Sequence, residues 1–90
     1  MKKVNKIGLL KCEVGKGMFK GEKIVSYKIN GKINSAIVYE ECVTDQNRLK
    51  VDIYEEKGNK LLIGIPGETF STSRKIWVPQ ERIKIMEIRK

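Results

Sequence analysis

The sequence predicts an all-β fold, a small closed barrel of five or six short antiparallel strands. Three observations carry that prediction. Twelve Ile and seven Val stand against five Leu and a single Ala, Ala36. Ile and Val are stiff at χ1 and suit a pleated sheet, whereas Ala and Leu are the natural fillers of helices. Apolar residues alternate with polar ones in short runs, most clearly at Leu49, Val51 and Ile53. Finally, eight Gly and two Pro punctuate those runs at spacings that suit turns. At 90 residues the chain is one domain, and its core is thin.

The first expected strand covers residues 4–14. Its apolar positions change parity midway, from Ile7 and Leu9 to Leu10, Cys12 and Val14. A bulge or bend near residues 8–10 would reconcile the two sets, with Gly8 at its centre. Residues 15–21 follow as a loop with three glycines and three lysines if flanking Lys23 is counted with Lys16 and Lys20.

Strands over residues 22–29 and 33–41 flank Asn30-Gly31, the strongest short hairpin signal. A two-residue loop would pair Val25 with Ala36 and Tyr27 with Asn34. That register sets Val25, Tyr27 and Ile29 on the face opposite Ile33, Ile37 and Tyr39. A three-residue loop pairs Val25 with Ile37 and Ile29 with Ile33, giving one apolar face, and burial favours it.

The fourth strand, residues 48–55, points Leu49, Val51 and Ile53 inward. The fifth, residues 61–65, points Leu61, Ile63 and Ile65 inward and ends at Pro66-Gly67. A polar stretch over residues 68–74 leads to a short strand at 75–78 with Ile76 and Val78 on one face. After Pro79 two paths are open. One is a single helical turn at 80–82 followed by a strand at 83–88. The other is a helix from Pro79 to the end, since Pro is tolerated in a first helical turn. Three Ile in the last segment favour the strand.

One segment has a family likeness. Ile76-Trp77-Val78-Pro79-Gln80-Glu81-Arg82-Ile83 resembles the end of SH3 and SH3-like barrels. There a strand runs into an apolar residue plus Pro, then a 3₁₀ turn, then a last strand opened by Val or Ile. The resemblance implies an SH3-like barrel with one 3₁₀ turn near residues 80–82. Peptide-binding SH3 domains carry Tyr where Arg82 stands and an acidic aromatic first loop where this chain is basic. Of their ligand-contacting positions only Pro79 is matched.

Several chemistries are disfavoured. There is no His and no C-x-x-C pair, so neither a structural zinc site nor a His-activated nucleophile is expected. Glu40-Glu41 and Glu55-Glu56 are adjacent in strands and point to opposite faces, so neither pair forms an acid/base couple. No enzyme, cofactor or metal is expected. Cys12 and Cys42 read as reduced, buried small hydrophobes of a cytosolic protein. No apolar run reaches the roughly 20 residues that span a bilayer, and no membrane association is expected.

The net charge is +8, and residues 1–30 alone carry eight Lys against Glu13 and Glu22. Such an excess can attract nucleic acid, anionic lipid or an acidic protein, and it equally serves solubility. Two readings follow. In the first, a non-catalytic basic β-barrel contacts nucleic acid through Lys16, Lys20, Lys23 and Lys75 and stacks bases on Trp77. In the second, Met18, Phe19 and Trp77 form an apolar patch for a protein partner or a second copy of the chain.

Overall fold

The structure, a computed structural model, describes residues 2–70 and 73–86, with side chains from residue 6 onward. The chain is all-β, as its Ile and Val content predicts. Among the described residues nine strands run in order: β1 (Lys2–Lys11), β2 (Glu13–Lys16), β3 (Glu22–Ile29), β4 (Lys32–Tyr39), β5 (Arg48–Lys57), β6 (Lys60–Gly64), β7 (Glu68–Thr69), β8 (Lys75–Pro79) and β9 (Ile83–Ile85). They form two antiparallel sheets, β8-β6-β5-β1-β9 and β2-β3-β4-β7. A single core lies between them. Leu10, Leu49, Ile53, Leu61, Ile63 and Val78 enter it from the five-stranded sheet, and Val25, Tyr27, Ala36 and Val38 from the four-stranded one.

The strands outnumber the expected five or six for local reasons. The run over residues 4–14 is broken at Cys12, whose amide leaves the ladder and donates to the Asn47 carbonyl at 3.2 Å. No bulge is needed near residues 8–10. Gly8, Leu10 and Cys12 all face the core, and Ile7 and Leu9 are half-buried on the outside. The irregularity in β1 falls instead between Lys3 and Lys6. The two-residue strand β7, in the polar stretch, is held by pairing with Ala36 and Ile37. A 3₁₀ turn at Glu40–Cys42 also departs from the expected strand end.

The register of the β3–β4 hairpin follows its turn and not its apolar pattern. Val25 pairs with Ala36, Tyr27 with Asn34 and Ile29 with Lys32, so the loop has two residues and not three. Asn30 (φ 51°) and Gly31 (φ 81°) both take positive φ, as a type I′ turn requires. The turn fixes the register, and the apolar pattern yields to it. Asn34, Ala36 and Val38 become the inward residues of β4, while Ile33 and Tyr39 are left exposed. The Asn34 side chain donates to the Lys32 carbonyl at 3.4 Å.

The path after Pro79 follows the expected turn and strand. A 3₁₀ turn covers Gln80–Arg82, and β9 pairs with β1 through Ile83 opposite Leu10. Residues 87 and 88, the end of the expected last strand, lie outside the described residues.

Both cysteines are free, Cys12 buried and Cys42 half-buried. Burial pushes the Cys12 thiol above its ordinary pKa. Burial also raises Cys42, helped by Glu41 and opposed by Lys50 and a backbone hydrogen bond at Tyr39. Less thiolate therefore forms at a given pH than in an unfolded chain. With iodoacetamide near pH 8, mass spectrometry is expected to show Cys12 alkylated at least ~10-fold more slowly in the folded protein than in denaturant. Equal rates in the two states would contradict its burial.

Candidate nucleic-acid interface

The outer face of the five-stranded sheet holds the exposed aromatics Trp77 and Tyr54, each 36% exposed. Trp77 follows from strand alternation, since its neighbour Val78 is in the core. It pairs with the half-buried Leu62 of β6. Tyr54 sits at a bulge. The β5–β6 ladder pairs Ile53 with Ile63 and then Glu55 with Leu62, leaving Tyr54 as the extra residue. Its ring lies over Gly64, where an added Cβ would stand 2.6 Å from Tyr54 Cε2. Lys75, the cross-strand partner of Gly64, extends its ammonium to 4.5 Å from the centre of the same ring. That cation–π contact holds the Lys75 ammonium over Tyr54, two residues along β8 from Trp77.

Two open grooves flank Trp77. One, of about 740 Å³, is lined by the β5–β6 turn with Lys57, Gly58, Asn59 and Lys60. The other, of about 500 Å³, lies between β8 and the tip of the β3–β4 hairpin. Ile29, Asn30, Lys32, Asn34, Lys75 and Ile76 line it with Trp77. The local sequence explains both. Each groove is floored by a hairpin turn, and turns recruit Gly and Asn and leave their flanking lysines in water. Four lysines and three asparagines thus surround the tryptophan, and among the described residues no carboxylate lines either groove. Asp52, which lines a separate groove with Tyr54 and Lys75, and Glu55, which pairs with Leu62, stand on β5, two strands from Trp77.

The structure separates the sequence-predicted residues into two groups. Lys75 and Trp77 share the site just described. Lys16 and Lys23 pair with each other across β2 and β3 at the opposite end of the hairpin. From Lys23 to the Asn30 turn the strand runs roughly 20 Å. Lys20 is in the turn beyond them. That turn is not a free cradle of amides. Gly17 N–H donates to the Glu22 carbonyl and Glu22 N–H to the Phe19 carbonyl, both at 3.1 Å. Met18 and Phe19 are 79% and 70% exposed and line a groove of about 260 Å³ with Ile37, Tyr39, Glu22 and Glu68. They do not join Trp77 in one apolar patch. Sequence alone does not show Lys32, Lys57 and Lys60 as neighbours of Trp77, because the β3–β4 and β5–β6 turns meet β8 only in the fold. A signal was present nonetheless: each flanks an Asn/Gly turn.

Among the described residues no three His, Cys, Asp or Glu converge as a metal site. No described helix is long and apolar enough to cross a membrane. No protein-family model matches the chain, and no curated protein or solved structure matches it either.

Proposed function

We propose that this protein is a non-catalytic binding module that contacts single-stranded nucleic acid through Trp77 and the lysines around it. One observation carries the reading: Trp77 stands between two open grooves that together present Lys32, Lys57, Lys60 and Lys75 and, among the described residues, no acid. Aromatic stacking accepts any base, and clustered ammonium groups neutralise the phosphates that connect bases. Asn30 and Asn59, both exposed, add amide groups suited to base edges. The turn and last strand after Pro79 support placing the chain among SH3-like barrels. The free cysteines support a reducing, cytosolic setting.

Trp77 is the single tryptophan, so its fluorescence reports this site alone. Titration with short, mixed-sequence single-stranded RNA is expected to quench it. The logarithm of affinity should fall with the logarithm of salt concentration with a slope of about −2 to −3, since each contacted phosphate of a single strand contributes about −0.7. Unchanged fluorescence at high RNA concentration, or an affinity indifferent to salt, would overturn the reading.

A further inference from the structure

The outer face of the four-stranded sheet differs in kind from the Trp77 face. Inward Asn34, Ala36 and Val38 force Ile33, Ile37 and Tyr39 outward along β4. Ile37 pairs with Ile24 of β3, and Phe70 is placed beside Ser35 by its amide hydrogen bond to the Ser35 carbonyl. Ile33, Tyr39 and Phe70 are 73%, 66% and 59% exposed, and Met18 and Phe19 extend the apolar surface at the Tyr39 end.

We propose that this face pairs with the same face of a second copy of the chain, making a two-fold homodimer. Two arguments name that occupant. The first is area. Large side chains carry about 150–250 Å² each, so five of them at these exposures offer roughly 500–850 Å². A standard interface takes about 800 Å² from each partner, and the half-buried Ile24 and Ile37 add to the total.

The second is charge. A chain of net +8 repels its copy over most of its surface. The outward ladder positions of this sheet are the exception, carrying Glu13, Glu22 and Glu68 against Lys28 among the described residues. The charges are also distributed by end. Lys28 stands opposite Ile33 near the hairpin turn, whereas Glu22 pairs with Tyr39 and Glu68 with Ile37 toward the other end. Lys28 and Glu22 are roughly 20 Å apart along β3. A two-fold axis midway between them, near Val25 and Ala36, brings Lys28 of each copy over Glu22 and Glu68 of the other. The surface is self-complementary under that operation, as an isologous interface must be. The apolar pattern that β4 fails to bury in its own core is then buried in the dimer, leaving both Trp77 sites outside.

Sedimentation equilibrium without nucleic acid tests the proposal. The expected mass at tens of micromolar is twice the 10.3 kDa of one chain. The double variant Ile33→Lys, Tyr39→Lys changes only exposed side chains and is expected to weaken association at least ~30-fold. Lys28→Glu should also weaken it, and adding Glu22→Lys and Glu68→Lys to Lys28→Glu should restore it. Restoration speaks for this face even if the double variant unfolds. A monomer at every concentration would overturn the proposal. So would a dimer indifferent to both sets of substitutions.

Discussion

Replacing Gly67 with Ala is expected to destabilise the protein by about 2–4 kcal/mol, through two separate costs. Gly67 has φ 84°, where an L side chain is strained by roughly 1–2 kcal/mol. An added Cβ would also fall on the backbone carbonyl of Ile37 and lie 3.1 Å from the Val38 Cα. Both belong to β4, in the middle of its sheet, and cannot swing aside as a long side chain can. Forcing extra volume into such a place typically costs ~1–3 kcal/mol. The turn has no slack, because Pro66 and Gly67 carry the chain from β6 in one sheet to β7 in the other.

A domain of this size holds about 5–13 kcal/mol in total, so the loss is large, and the midpoint of thermal unfolding should fall by ~10–25 °C. Gly58→Ala is the control. Its φ is 60°, but nothing lies within 4 Å of the added atom, and the cost should stay near 1 kcal/mol. Urea unfolding of the two variants separates strain from collision. If they match within ~0.5 kcal/mol, the close approach of the Gly67 turn to β4 is wrong.

The same pair of sheets explains how far the sequence could be read. Strict alternation was enough at Leu49, Val51 and Ile53, because β5 has strand neighbours on both sides and one face on the core, and a half-buried strand writes that period directly. It failed at β4. There the apolar set Ile33, Ile37 and Tyr39 is the outward one, and the inward set contains Asn34 and the lone alanine. Reading burial from apolarity inverts such a strand, since the rule assumes that the chain buries its apolar residues in itself. Asn30-Gly31 held the correct register in two residues, through φ values that other pairs rarely adopt.

The candidate site was legible only in part, for a related reason. Trp77 and Lys75 are neighbours in sequence and were found together. Lys32, Lys57 and Lys60 reach them from the β3–β4 and β5–β6 turns, and only the folded topology brings those turns to β8. The density of lysine in residues 1–30 points to Lys16, Lys20 and Lys23 at the other end of the hairpin, because charge counted along a chain says nothing of the face it occupies.

That separation yields the second large effect. The variant carrying Lys32→Gln, Lys57→Gln, Lys60→Gln and Lys75→Gln is expected to bind single-stranded RNA ~10²–10³-fold more weakly near 0.1 M salt. The estimate follows from counterion release: each phosphate contact adds about 0.7 to the salt slope, or roughly 5-fold at that concentration relative to 1 M. The four side chains are exposed, so folding should be unaffected, and the salt slope should approach zero. The triple variant Lys16→Gln, Lys20→Gln, Lys23→Gln removes nearly as much charge from the opposite end of the hairpin. It should bind within ~3-fold of the parent and keep its salt slope, since a charge beyond the ~10 Å screening length does little. Running both in one salt series distinguishes a localised site from diffuse attraction to a +8 protein. Diffuse attraction would cost the two variants similar affinity per lysine removed. A larger loss in the triple variant would move the site to the turn that carries Met18 and Phe19, and Trp77 would then be a surface aromatic with no part in binding.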